Sequence, residues 1–443
     1  MALGGGTFLT QNKKLPGAYI NFVSAAAASV QLSDRGIATI AMEMDWCEEQ
    51  KIFTVEQGDF IKNSFNIFGH AYTDDAMKPM REIFLHAKTV HFYRLNPASA
   101  GTKASNTFAT AKYTGTLGNS LKTKITANEN STQESPLYDV ATYLGDVLVD
   151  EQLAVASMTA LKDNEWCTWD DTATIAVTTS SGTAFTGGAN GTVTSASHQT
   201  YLDQAESYHF NAMGCVASDT TVKSLYAAYV RRMRDDVGKK FQVVLFQKLA
   251  DYEGVISVKN GIVGNTSSTA LVPWVTGVIA GTAVNKSASN MKYDGEYDIA
   301  VSYTQSQLEA GIAEGSFMFH SVDGEARVLS DINSFVTVTE GKNEDFSSNQ
   351  IIRVLDQIAN DIAVIFNTRF LGLVPNDESG RVSLWNQIAR HHEQMEKIRA
   401  IENFSGDDLT VERGETRTAV VVNDGVWPTG AMEKLYMTVY VQG

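Results

Sequence analysis

The sequence predicts a multidomain α/β protein with an inserted β-sandwich and strand-bearing arms at both ends. Three observations carry this. Helix-period and strand-period segments alternate in residues 24–95 and again from residue 198 onward, an order that folds as layered α/β structure. Between them, residues 96–197 are rich in serine, threonine, glycine and asparagine. Short strand candidates separated by turn clusters recur there, which is the pattern of a sandwich. The last stretch, Glu433-Lys434-Leu435-Tyr436-Met437-Thr438-Val439-Tyr440-Val441-Gln442, alternates with the period of a strand. Leu435, Met437, Val439 and Val441 point one way, and Tyr436, Thr438 and Tyr440 the other.

At 443 residues the chain is longer than one hydrophobic core organises, so several domains are expected. The divisions fall after residues 23, 95, 197, 340 and 428. Residues 13–22 give a turn and then the short run Ala18-Tyr19-Ile20-Asn21-Phe22, with Tyr19 and Asn21 opposite Ala18, Ile20 and Phe22.

Residues 36–44 alternate as a half-buried strand. Residues 56–68 make an amphipathic helix through Phe60, Ile61, Phe65 and Ile67, and a second helix over 79–88 runs into a strand at 90–95. Within the insert, strands are expected at 107–113, 120–127, 139–144 and 172–178.

Further on, residues 221–237 form a helix through Leu225, Tyr229, Met233 and Val237, and Phe241 to Phe246 reads as a buried strand. Strands at 254–258, 297–303 and 316–321 interleave with helices at 270–280 and 306–314, which predicts a parallel layer. Two long helices over 347–370 and 383–401 follow, then strands at 409–413 and 417–422. The breaker-rich stretch Asn423 to Gly430 reads as a hinge before the terminal strand. That strand needs a sheet edge, in its own domain or in another copy. The plainer reading is its own domain.

The formal net charge is -16 and no basic run marks a nucleic-acid footprint. Cys47, Cys167 and Cys215 are odd in number and far apart, the usage of a protein made in a reducing cytoplasm. No apolar run is long enough to cross a membrane, and no signal-peptide pattern opens the chain.

Enzyme signatures are weak. Gly281 to Ser287 ends in Lys-Ser but lacks phosphate-loop spacing. His391 and His392 on one helix point about 100° apart, so a solvated or interface-facing pair is expected. Asp170-Asp171 beside Trp166 and Trp169 reads as an acidic turn, and Cys215 as core. No catalytic, cofactor-binding or metal-ligating residue is assigned.

Lys14-Leu15-Pro16-Gly17-Ala18-Tyr19-Ile20-Asn21-Phe22, the strand at 36–42, the closing residues 435–442 and the order of parts between them resemble one family across nearly the whole chain. It is the sheath protein of contractile phage tails and phage-tail-like particles, in the form carried by Gram-positive phages and by diffocin-like R-type bacteriocins of bacteria such as clostridia.

The resemblance implies an N-terminal arm (1–23), a core domain shared by residues 24–95 and 341–428, the sandwich (96–197), a subtilisin-like α/β domain without catalytic residues (198–340) and a C-terminal arm (429–443). It implies a structural subunit, assembled in the bacterial cytoplasm and released in a virion tail or bacteriocin particle. Such a subunit polymerises with itself around an inner tail tube, meets baseplate and collar or terminator proteins, and contracts without nucleotide. Residues 18–22 and 435–441 would be strands exchanged between subunits. Arg390, Lys397 and Arg399 are the tube-facing candidates. The competing reading is an enzyme or ligand-binding protein on the parallel layer, which a convergent set of titratable groups at the strand ends would support.

Overall fold

The computed structural model of the chain describes residue 32 and residues 34–441. The expected arm strand at Ala18, Tyr19, Ile20, Asn21 and Phe22 lies outside the described residues. The chain divides into two units, one of residues 34–360 with the tail from 429, the other of residues 361–428.

In the first unit, β1 (Ile37–Met42), β2 (Ile52–Glu56), α1 (Gln57–Phe68), α2 (Lys78–Phe84) and β3 (Thr89–Arg94) come first. The sandwich strands β4 (Lys103–Ser105), β5 (Ala109–Thr114), β6 (Leu121–Ala127), β7 (Tyr138–Leu144), β8 (Val147–Val155), β9 (Cys167–Trp169) and β10 (Thr183–Ala184) follow. Then come α3 (Ser195–Ala205), β11 (Ala212–Cys215), α4 (Thr220–Arg232), β12 (Gln242–Phe246), β13 (Val255–Val258), α5 (Val272–Gly281), α6 (Gln305–Ala313), β14 (Ser316–Phe317), β15 (Phe319–Val322) and β16 (Glu325–Val328).

One seven-stranded sheet, in the order β14-β13-β12-β11-β1-β3-β2, organises the unit. Its pairings are parallel except for the edge strand β2. Parallel strands are covered on both faces and read as continuous apolar runs. Ala38, Ile40, Val244 and Phe246 pack with α2 and α5 through Ile83, Phe84, Val275 and Val278. The alternate residues Ala41, Val243 and Leu245 pack with α3 and α4 through Tyr201, Tyr226 and Val230.

The sheet groups the parts that flank the insert differently from the expected core domain of residues 24–95 with 341–428. Residues 37–94 join β11 to β14 in one sheet, with Ala38 registered on Ala212 and Ala41 on Cys215. The reason is burial: Ala38, Ile40 and Ala41 are closed on both faces, which a strand obtains in the middle of a doubly covered sheet and not at the margin of another domain.

The insert is a sandwich of a four-stranded sheet, β10-β6-β7-β8, and a three-stranded one, β4-β5-β9. Phe108, Leu121, Ile125, Val140, Trp166 and Trp169 fill it. The strand expected at 172–178 is absent, and β8 stands where none was named. Two other expectations also shift. Ile61, expected on the buried face of α1, is exposed, and Ser64 and Phe68 take the inner face with Phe60. Residues 297–303 form no strand: their backbone bonds go to a loop, Ala300 N–H to Gly261 O and Val263 N–H to Asp298 O, so they are drawn away from the sheet.

α7 (Asn349–Arg369) begins in the first unit, and its C-terminal part belongs to the second. The second unit continues with α8 (Glu378–Lys397), β17 (Ile401–Glu402), β18 (Leu409–Arg413), β19 (Val420–Asp424) and β20 (Trp427–Pro428). α8 starts five residues earlier than expected, because the Asp377 side chain caps it by accepting from Gly380 N–H. Ile365, Phe370, Leu384, Ile388 and Leu409 are its small core.

Candidate assembly site

The tail leaves the first unit through a short polar clamp. The Gln350 side chain, 4% exposed in the first turn of α7, donates to Thr429 O and accepts from Ala431 N–H, both at 3.0 Å. Two residues on, the Glu433 carboxylate accepts from Ser289 Oγ at 2.5 Å and Ser330 Oγ at 3.3 Å. The hinge expected over 423–430 therefore ends in fixed residues, and the free segment starts after Glu433.

Beyond the clamp the terminal segment pairs with no strand among the described residues. Leu435 is 86% exposed, Tyr436 89%, Met437 74%, Val439 69%, Tyr440 85% and Val441 91%. Thr438 is exposed as well. The plainer reading, a strand that closes a sheet of its own domain, finds no partner strand among the described residues. Both faces of this alternating segment are exposed.

In the second unit, β18 and β19 form a two-stranded antiparallel sheet with no further strand on either edge among the described residues. A lone pair of strands is marginal in water. Val421 and Val422 are exposed on it, and the Trp385 indole holds it to α8 by donating to Leu409 O at 2.8 Å. Beside its turn lies an apolar groove of about 550 Å³ lined by Phe366, Phe370, Leu373, Val374, Leu384 and Val420.

Arg390 and Lys397 are both exposed on α8. They stand seven residues apart, two turns of helix, and so share one face. Arg399 is also exposed but follows the helix end in a left-handed conformation, φ 59°, so it is not the third member of that face. His391 and His392 depart from expectation: both are fully buried, His391 against Asp361 and His392 against Asp424. The α7 and β19 carboxylates that draw them inward are distant in sequence.

At the carboxyl end of β1 a pocket of about 300 Å³ contains Glu43, Asp45 and His70. His70 Nε2 meets Asp45 Oδ1 at 2.8 Å, and this hydrogen bond raises the imidazole's proton affinity. The rest of the lining is Met44, Trp46, Phe68, Ala76, Met77, Met80 and Asn190. The three cysteines are buried, and burial pushes the Cys167 and Cys215 thiols up to about 12, far from the thiolate a nucleophile requires. No group of residues suited to a metal ion occurs among the described residues, and no described helix is long and apolar enough to cross a membrane.

Four family models tile the chain: the phage tail sheath C-terminal domain over residues 341–442, the phage tail sheath protein central domain over 191–334, the phage tail sheath protein beta-sandwich domain over 99–190 and the Gp18 domain III N-terminal region of tail sheath protein over 35–95. The phage-like element PBSX protein XkdK of Bacillus subtilis is 29% identical, over 99% of this chain and all of its own length. The crystal structure of a sheath tail protein from Desulfitobacterium hafniense superposes with a TM-score of 0.81 at 35% identity, covering 95% of this chain and 99% of that one. The contracted helical sheath of the anti-feeding prophage shares the fold at 12% identity, with a TM-score of 0.56 over 97% of this chain and 99% of that one.

Proposed function

Because the chain belongs to the phage tail sheath protein family, we propose that it polymerises around an inner tail tube in an extended, metastable state and contracts to drive that tube through a cell envelope. Its particle is a contractile phage tail or an R-type bacteriocin of a Gram-positive host. It meets baseplate and collar or terminator proteins at the two ends of the array. The parallel layer corresponds to the subtilisin-like domain of the family by fold only, and fold carries no activity.

One observation carries the reading: residues 435–441 alternate as a strand, are exposed on both faces and pair with nothing among the described residues. An edge supplied by a second copy satisfies them, and β18 and β19 offer open edges. Backbone pairing stitches a lattice while allowing the joined domains to tilt.

Magnitudes favour a reversible joint. Burying each large apolar side chain gains about 1.5–3 kcal/mol, while fixing each backbone residue costs about 1–2 kcal/mol. The six large side chains of the tail therefore little more than offset the ordering of its seven residues. A modest gain per copy on contraction, multiplied over many copies, supplies the stroke without nucleotide.

Electron microscopy of the purified chain, beside a chain cut after Glu433, tests the proposal. Long tubes from the full chain and none from the cut one are expected. Discrete particles from both would remove the lattice role.

A further inference from the structure

Inside the second unit four side chains form an unbroken line through three elements. Asp361 Oδ2 of α7 lies 3.0 Å from His391 Nε2, His391 Nδ1 lies 3.2 Å from His392 Nδ1, and His392 Nε2 lies 2.8 Å from Asp424 Oδ2 of β19. Both imidazoles are completely buried. The Phe404 ring packs edge-on to His392 at 4.9 Å between centroids. The other charged groups nearby face away or are engaged. Arg390 and Glu393 are exposed on α8 itself. In the loop after β17, the Glu396 carboxylate accepts from Phe404 N–H, and the Asp408 carboxylate accepts from Ser405 N–H.

The line can be counted in protons. Each contact joins two atoms that both carry lone pairs when unprotonated, so each needs one proton and has room for only one. Three contacts need three protons. Two neutral histidines with two ionised carboxylates supply only two, which leaves two bare Nδ1 lone pairs facing each other. Two imidazolium rings supply four, which sets two N–H groups against each other. The intermediate count alone fills every contact. Whether the third proton sits on a ring or on a carboxylate, the four groups then carry a net single negative charge.

We infer that Asp361, His391, His392 and Asp424 form a proton-counting lock that fastens the end of β19 to α7 and α8 only while the two histidines share one proton between their Nδ1 atoms. Adding a proton in acid, or removing it in alkali, opens a contact in the line. Asp424 is the last residue of β19 and stands five residues before the clamped Thr429. The lock therefore sets the position of the hairpin that carries the open strand edges. Its consequence for assembly, that acid loosens the joint between copies, rests on the strand-exchange reading, whereas the lock itself does not.

Hydrogen exchange followed by mass spectrometry tests it on the unassembled full chain, with the β19 peptide compared with the β12 peptide after correction for intrinsic rates. Protection of β19 relative to β12 is expected to be greatest at an intermediate pH. It should fall about tenfold or more on the acid side before the sheet opens, the size of losing one hydrogen bond to a charged group. His391→Gln removes the facing Nδ1 and makes this ratio independent of pH. A ratio flat with pH in the unaltered chain, or the same pH dependence in both chains, would overturn the lock. If His391→Gln does not fold, Asp361→Asn serves. Losing one negative charge makes the third proton easier to remove and a fourth harder to add, so both limits move to lower pH, and unmoved limits overturn the inference. Tubes that fail to form while β19 behaves as expected count against strand exchange alone.

Discussion

The guanidinium of Arg234 grips the carboxylate of Asp356 with both arms, Nη1 to Oδ2 at 2.6 Å and Nη2 to Oδ1 at 2.7 Å. It joins the turn after α4 to the middle of α7, and Nη1 also donates to Phe241 O. Both side chains are buried. The charge of Asp356 holds the guanidinium protonated against the cost of its burial.

Asp356→Ala leaves that guanidinium buried without its counter-ion. A loss of about 3–5 kcal/mol is expected, the usual cost of stranding one partner of a buried pair. Chemical denaturation of the mutant and the parent chain measures it. A loss below 1 kcal/mol would mean that water reaches Arg234.

Gln350→Ala removes the clamp on the tail. Two hydrogen bonds at about 0.5–1.5 kcal/mol each hold Thr429 and Ala431, so the Ala431 amide should exchange roughly tenfold faster or more. Unfolding of the sheet should shift little, because the clamp touches only the tail. An unchanged Ala431 rate would show that Glu433 fixes the tail by itself.

His198 gives a pH dependence of known sign. Its Nδ1 lies 3.0 Å from Tyr226 Oη, and burial lowers its proton affinity below that of an ordinary histidine. The unfolded chain therefore takes up a proton first as pH falls, and stability present above the ordinary histidine value is lost on acidification. Burial lowers His91 in the same way, while Asp45 raises His70, whose contribution is present in acid and lost as pH rises. Denaturation between pH 7.5 and 5 should show a smaller acid loss in His198→Gln than in the parent.

Arg390→Glu combined with Lys397→Glu inverts the exposed face of α8. Weaker binding to tube protein with empty tubes still forming is expected, since rim charges act on association more than on the fold. Loss of both properties, or of neither, would count against that face as the tube contact. Arg399→Glu, past the helix end, should have the smaller effect.

What the sequence disclosed follows from which interactions are local. β12 is legible from Gln242 to Phe246 because a strand covered on both faces must be apolar throughout, and all five residues are buried. Residues 297–303 alternate as convincingly, yet Ala300 N–H and Asp298 O pair with the 261–263 loop and with no strand of the sheet. Periodicity records which side chains turn inward and not which backbone receives them. His391 and His392 were misjudged for a related reason. Their partners stand 30 and 32 residues away, and nothing in the helix pattern announces two buried carboxylates. The Asp377 cap of α8 was present as a signal, an aspartate three residues before Gly380, but the apolar period starts later and drew the boundary with it. In the tail the alternation was plain. That no described strand pairs with it was not, because a period of two states that a partner strand is needed without saying whose.

Amide exchange across residues 435–441, compared between unassembled chains and assembled tubes, tests strand exchange most directly. Exchange near the open-chain rate in the unassembled protein is expected, with protection of alternate amides by at least a hundredfold in the tubes, as a strand at a sheet edge requires. Protection already present in the single chain, or none in the tubes, would contradict it.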